Sequence, residues 1–243
     1  SGRVVRELAR LPLRENVPIE GVPTGPRGHQ WCDREATARV LWLEALDDGD
    51  PRKKVPHRDR LLMLPAPFDA EPAEVARLEH RFTGLTWLEG TDQALLSEYD
   101  RDRRWTRTWL TDPILAPGKP RLVWDRSVND RYGDPGRPMT TGNPAGRAVA
   151  RMRAGALFLS GQGATPQGDR PFLDRFDLAT LKSERLWQCA GESYEYVAEL
   201  LADDGRRLMT RFETPAEPPN YFVRELAGGS KDLRLTAFPD PAP

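Results

Sequence analysis

The stretch from Arg170 to Phe238 constrains the fold most, because it consists almost entirely of short strand-like runs joined by local turns. Residues Pro171–Leu178 alternate apolar and polar side chains, as a half-buried strand does. Asp203–Asp204–Gly205 is a hairpin turn signal between two later runs. The last four runs are Tyr196–Leu201, Arg207–Phe212, Tyr221–Leu226 and Leu233–Phe238. Four consecutive antiparallel strands with local connections form one blade of a β-propeller.

The same pattern recurs along the chain, and it predicts an all-β protein: a partial β-propeller of four-stranded antiparallel blades, with about four and a half blades present. The predicted blades cover residues 30–82, 83–136, 137–194 and 195–238. Residues 1–29 are expected to be the end of a preceding blade and a loop, with Val4–Leu8 as an outer strand. The proline-rich residues 239–243 have the composition of a stiff linker. We therefore expect a fragment of a larger ring, whose open edges favour self-association.

Charge and cysteine content exclude several classes of function. The chain has 36 Lys and Arg against 37 Asp and Glu, and this balance argues against a nucleic-acid partner. No apolar run is long enough for a membrane span, and the mean hydropathy is −0.64, which indicates a soluble protein. The expected compartment is left open between a bacterial-type cytoplasm and a periplasm. Cys32 and Cys189 lack metal-site spacing, so we expect no metal and no cofactor. Two buried free thiols are favoured over a disulfide between them.

Five sequence blocks, spread in order over the chain, carry a family resemblance. They are Gly49–Leu62 (GDPRKKVPHRDRLL), Glu98–Leu110 (EYDRDRRWTRTWL), Asp130–Pro138 (DRYGDPGRP), Gly168–Thr180 (GDRPFLDRFDLAT) and Glu217–Leu226 (EPPNYFVREL). Together they resemble the propeller of the prolyl oligopeptidase family of serine peptidases, in its glutamyl endopeptidase-like branch. The resemblance implies an N-terminal propeller that restricts the access of peptides to a C-terminal α/β-hydrolase domain with a Ser-His-Asp triad.

The residues of that triad are not recognisable in this chain. It contains no G-x-S-x-G nucleophile elbow, and its three histidines, His29, His57 and His80, have no assignable nucleophile. We therefore predict no catalytic residue here and no peptidase activity of the chain alone. The alternative function is a stand-alone propeller that scaffolds protein partners without catalysis. A propeller glycosidase is disfavoured because Glu89 and Glu199 are poor candidates for its paired carboxylates.

Strand alternation predicts which loops share one end of the blades. Each antiparallel connection reverses the chain direction, so loops after the second and fourth strands of each blade lie together. These loops are Asp47–Arg58, Asp100–Arg104, Asp125–Gly136, Ser160–Arg170 and Thr214–Asn220. In the last of them, prolines are expected to interrupt the strand ladder. Long polar loops on a rigid scaffold favour function, so this end is the predicted working face.

Three arginines on these loops, Arg101, Arg103 and Arg170, are the candidate substrate-binding residues. A guanidinium group binds a carboxylate through paired, charge-assisted hydrogen bonds, which suits a peptidase that prefers acidic peptides. For Arg101 and Arg103 the alternative is local ion pairing with neighbouring aspartates on an exposed hairpin tip. For Arg170 the alternative is pairing with Asp169 or Asp174.

Overall fold

The computed structural model describes residues 4–11, 13, 15, 17–32, 38–113, 116–226 and 232–240. The strands within these ranges are antiparallel, and no α-helix is present among them. The chain divides into two compact units, Ser1–Ser127 and Val128–Pro243, and each contains two principal sheets. The two units are described separately below.

The first unit contains two four-stranded sheets whose strands follow one another in chain order. The strands of the first sheet are β1 (Arg27–Cys32), β2 (Arg39–Ala45), β3 (Asp59–Pro65) and β4 (Ala73–Leu78). Those of the second are β5 (Arg81–Trp87), β6 (Ala94–Asp100), β7 (Trp105–Asp112) and β8 (Ala116–Ser127). This up-and-down order is that of a propeller blade.

Strand β2 shows why the sheets of this unit stack. Its residues are apolar on both faces, and four consecutive side chains are buried. Leu41 and Leu43 on one face join a core cluster that includes Leu96 of the second sheet. Val40 and Trp42 on the other face pack with Leu62 and Leu64. A strand that is covered on both faces reads as a continuous apolar run rather than as a strict alternation.

The second unit also contains two principal sheets, and its first sheet has a divided inner strand. The short elements are β9 (Arg137–Pro138), β10 (Thr140–Gly142), β11 (Ala148–Ala150) and β12 (Met152–Arg153). They are followed by β13 (Ala156–Gly161), β14 (Ala164–Thr165), β15 (Gly168–Asp169), β16 (Phe172–Asp177) and β17 (Lys182–Gln188). Both β9 and β12 pair with β13, while β10 and β11 form a separate hairpin between them.

The divided strand separates two short runs that are adjacent in the chain. The run Ala148–Arg153 is not one strand, because its first half pairs with β10 and its second half pairs with β13. Met139 lies between β9 and β10 and contacts both sides of the division. Its backbone N–H donates to the Phe158 carbonyl, and its own carbonyl accepts the Arg151 N–H, each at 2.8 Å. Apolar alternation does not reveal that a strand changes partner part-way along its length.

The last sheet consists of β18 (Tyr194–Leu200), β19 (Arg207–Thr214), β20 (Glu217–Glu225) and β21 (Leu233–Arg234). The prediction that Thr214–Asn220 forms a long proline-interrupted loop is wrong, because only Pro215 and Ala216 separate β19 from β20. The register is irregular between Phe212 and Thr214, opposite Pro218 and Pro219. Prolines are tolerated at such an irregularity because no ladder hydrogen bond is required of them there.

The core of the second unit lies between its two principal sheets. Phe158 of β13 packs with Leu173 of β16 and with Val197, Leu200 and Leu208 of the last sheet. Gly205 closes this core at the turn between β18 and β19. Its φ of +73° lies in the left-handed region, and a Cβ there would stand 2.4 Å from Phe158 Cε1. Only glycine satisfies both conditions without strain.

The N-terminal expectation also requires correction, because Val4–Leu8 forms no strand. Side chains hold this segment instead: the Arg6 guanidinium donates to the carbonyls of Phe68 (3.0 Å) and Ala70 (2.6 Å), and Leu8 packs on the first sheet. At the other end, residues 241–243 of the predicted linker lie outside the described residues. Cys189 is a buried free thiol, and the Cys32 side chain lies outside the described part.

The protein is therefore all-β and is built from the four-stranded antiparallel blades of a β-propeller, as the repeated strand runs predict. Within the ranges that the structure describes, no helix has the length and apolar character needed to cross a membrane.

Candidate functional site

In the first unit, the loops after β2 and β6 lie on the same side, joined by the segment before β1. The Val22 N–H of this segment donates to the Gly49 carbonyl at 3.0 Å. Its Glu20 carboxylate stands 2.5 Å from Arg101 Nη2, in the turn after β6. Gly49 is required at this contact, because a Cβ there would come within 1.9 Å of the Val22 carbonyl oxygen. Loop 46–58 and turn 101–104 thus share one face of this unit.

Both candidate arginines of the turn after β6 have local interactions. Arg101 pairs with Glu20, although 65% of its side chain remains exposed. The Arg103 guanidinium lies 5.1 Å above the Trp105 ring, and its Nε is 3.9 Å from the Asp100 carboxylate. Asp100 also accepts the backbone N–H of Arg103 at 3.2 Å. A substrate carboxylate at Arg101 would have to displace Glu20, which is distant in sequence and is not one of the neighbouring aspartates expected as partners.

Loop 46–58 is anchored by a buried carboxylate, Asp47. Asp47 accepts the Gly49 N–H at 3.0 Å and binds the guanidinium groups of Arg58 and Arg81. At the exposed tip, the Arg52 side chain and backbone N–H both donate to Asp50, and they lower the pKa of this carboxyl to about 2. The loop therefore has charge-assisted hydrogen bonds at both its buried base and its exposed tip.

In the second unit, the predicted loop Ser160–Arg170 and the turn between β19 and β20 contribute to the lining of a cleft of about 610 Å³. The loop after β8 reaches the insertion between β13 and β16, where Arg131 Nη2 donates to both Asp169 oxygens at 3.0 and 3.3 Å. Gly136 packs directly on the Ser160 backbone. The cleft, called the Arg170 cleft below, is lined by Gly168–Arg170, Glu192–Tyr194, Glu213–Pro219 and Asp240.

Arg170 is presented to this cleft from a fixed backbone. Its N–H donates to the Gly163 carbonyl at 2.8 Å, and its own carbonyl accepts from Gln188 Nε2 at 3.3 Å. The two carboxylates expected as alternative partners are engaged elsewhere: Asp169 with Arg131 and Asp174 with Arg185. The Arg170 guanidinium has no hydrogen-bond or ion-pair partner among the residues that the structure describes. Arg170 belongs to the second unit, whereas Arg101 and Arg103 are neighbours in the first.

Arg151 links the first principal sheet of the second unit to the turn between β18 and β19. Arg151, which precedes β12, donates to the Leu200 carbonyl at 2.7 Å and to Asp203 at 3.0 Å. Asp203 lies in the turn between β18 and β19, away from the Arg170 cleft. The exposed Arg206 of the same turn is therefore a suitable control residue for Arg170.

Sequence reasoning did not identify the buried carboxylates that organise the strands. Asp59 on β3 is fully buried and accepts from Arg27 (2.6 Å), Arg81 (2.5 Å) and the Phe82 N–H (2.8 Å). Glu98 and Glu195 are likewise buried and hydrogen-bonded, for example to Trp109 Nε1 and to Thr210 Oγ1. The available signal is an acidic residue within or beside an apolar run, because such a group is buried only when it is paired.

None of these carboxylates forms a metal centre. Across the described residues, no group of three or more His, Cys, Asp or Glu side chains is arranged to hold a metal ion.

Comparison with known proteins decides the relationship. The whole chain aligns with the probable chloroplastic glutamyl endopeptidase of Oryza sativa subsp. japonica, with 35% identity over 260 residues. It aligns equally with the Arabidopsis thaliana protein of the same name, with 36% identity over 262 residues. Over its whole length, the chain is similar to these plant glutamyl endopeptidases. Each alignment includes the whole of this chain but only 27% of the plant glutamyl endopeptidase.

The resemblance to glutamyl endopeptidases seen in the five sequence blocks is thus confirmed. No protein-family model matches the chain. Among solved structures, the β-propeller domain of the Trilobed protease from Pyrococcus furiosus is similar at 9% identity and a TM-score of 0.43, with 86% of this chain and 58% of that chain covered. This likeness is weak, and the fold assignment rests on the sheets themselves.

Proposed function

We propose that this chain is the propeller portion of a glutamyl endopeptidase and that it restricts the access of peptides to a Ser-His-Asp catalytic domain outside these 243 residues. The match of the whole chain to about a quarter of two plant glutamyl endopeptidases carries the proposal. The gathering of polar loops on one side of each unit supports it, because loops on a rigid sheet scaffold are where proteins contact substrates. Arg101, Arg103 and Arg170 are the proposed substrate-binding residues.

The restriction follows from the mechanical properties of such a scaffold. Stacked sheets with buried ion pairs do not deform to admit a bulky substrate, whereas an extended peptide is narrow enough to pass between loops. A catalytic domain behind such a scaffold would therefore act on short or unfolded chains. Self-association through unpaired sheet edges is a further proposed interaction.

The chain alone is expected to show no peptidase activity, because it contains no nucleophile elbow. Incubation with peptide nitroanilides that end in glutamate should release no nitroaniline, and a fluorophosphonate probe should label no serine. The full-length peptidase should release nitroaniline and become labelled under the same conditions. Specific labelling of a serine within this chain would overturn the proposal. A full-length protein that is unreactive in both assays would favour the stand-alone scaffold.

A further inference from the structure

The charges around the Arg170 cleft are unevenly matched. Three of its carboxylates have arginine partners, and these pairs are Asp169 with Arg131 (3.0 Å), Glu213 with Arg211 (3.1 Å) and Glu217 with Arg234 (3.3 Å). Glu192 is exposed at the rim, and Asp240 has an interaction of its own. Arg170 is the one basic residue that lines the cleft, and no described residue neutralises it. The cleft therefore offers an unpaired guanidinium beside carboxylates that are largely compensated.

The walls of the cleft are suited to a peptide. Pro215, Pro218, Pro219 and the Tyr194 ring supply rigid apolar surface on the last sheet. The Tyr194 hydroxyl is occupied, since it donates to Gln162 Oε1 at 2.7 Å, which fixes the ring. A volume of about 610 Å³ is in the range of sites that enclose a small ligand or a few residues of an extended chain.

We infer that the Arg170 cleft binds a carboxylate of a peptide, with Arg170 as the residue that recognises the anion. The inference rests on the proposed function for the identity of the ligand as a peptide. A planar guanidinium without a side-chain partner can donate two parallel hydrogen bonds to the oxygens of a carboxylate.

Arg170 differs from Arg101 in what binding requires. An anion at Arg101 must replace Glu20, so its binding energy is offset by the loss of an existing ion pair. At Arg170 no side-chain partner has to leave, and both backbone groups are already held by Gly163 and Gln188. Binding an anion to a guanidinium that has no partner costs less free energy than binding it to a guanidinium whose existing ion pair must first be broken.

The test is direct binding of fluorescein-labelled peptides to the chain, measured by fluorescence anisotropy. Four peptides that differ in only two features are compared. The internal residue is either Glu or Gln, and the C-terminus is either free or amidated. Removing the recognised carboxylate should weaken binding about ten- to a hundredfold, the effect of one charge-assisted hydrogen-bonded contact. A loss with Gln identifies a side-chain carboxylate, and a loss with the amide identifies the C-terminus. Either result supports the inference.

Arg170→Gln should produce the same weakening, whereas Arg206→Gln, at the opposite turn, should leave affinity unchanged. Because Arg170 has no side-chain partner to lose, Arg170→Gln should also melt at the temperature of the unmodified chain. Equal binding of all four peptides, no binding at millimolar concentration, or equal effects of the two substitutions would each overturn the inference. None of these outcomes bears on the proposed restriction of access, which is tested separately by substrate size.

Discussion

Replacing Asp59 with alanine is expected to lower the free energy of unfolding by about 3–5 kcal/mol, as removal of one partner from a buried ion pair does. Asp59 is 0% exposed and holds the guanidinium groups of Arg27 and Arg81 together with the Phe82 N–H. Without the carboxylate, two partly buried guanidinium groups lose a counter-ion, and a partly buried backbone donor loses its acceptor. Asp47, which still binds Arg81, compensates only part of this loss.

Urea denaturation followed by tryptophan fluorescence measures the effect. Asp48→Ala is the control, since it makes the same substitution in a carboxylate that pairs with Lys53 at a 77% exposed site. The φ of +52° at Asp48 adds about 1–2 kcal/mol of backbone strain to this alanine variant, which is still less than the effect expected at Asp59. An exposed pair of this kind contributes at most about 1 kcal/mol. If Asp59→Ala destabilised the protein no more than Asp48→Ala does, the buried network would not be what joins β3 to β5.

Replacing Phe158 with alanine is expected to cost about 3–5 kcal/mol, the range for removal of a fully buried aromatic side chain. Phe158 is 1% exposed and contacts residues of both principal sheets of the second unit. Its ring also lies against Gly205, so the turn between β18 and β19 loses its packing surface. The remaining cavity is surrounded by strands that are hydrogen-bonded on both sides and relax little.

The control for this substitution is Phe238→Ala, because the Phe238 side chain is 56% exposed. Its effect should stay within about 0.5 kcal/mol, as for most surface substitutions. Comparable destabilisation by the two alanine variants in the same urea titration would show that the core of this unit does not centre on Phe158.

The sequence predicted strands well where a local pattern decides the structure. Tyr196–Leu201 and Arg207–Phe212 lie within or close to β18 and β19, because apolar periodicity and the Asp203–Asp204–Gly205 turn act over a few residues. The sequence-based prediction failed where the structure of a strand depends on the strand with which it pairs. Pro218 and Pro219 lie inside β20 because the opposite strand is irregular at that point, and this depends on the register of another strand. The division between β11 and β12 has the same origin.

Prediction of the candidate site was limited in a similar way. Strand alternation correctly indicated that loop 46–58 and turn 101–104 share a face, since the chain direction reverses at each connection. It contained no information on ion pairing. Arg101, Arg103 and Arg170 look alike in sequence, yet Arg101 has Glu20 beside it and Arg170 has no described partner. Glu20 lies about eighty residues from Arg101 in the chain, so only the folded structure reveals the pair.

The restriction of access is tested most directly by substrate size in the full-length peptidase. One glutamyl cleavage sequence is presented as a short peptide, within an unfolded polypeptide, and within a loop of a stably folded domain, and kcat/KM is measured for each. We expect efficient cleavage of the peptide, slower cleavage of the unfolded chain, and no detectable cleavage of the folded domain. Cleavage of the folded domain with the kcat/KM of the short peptide would contradict a propeller that restricts access.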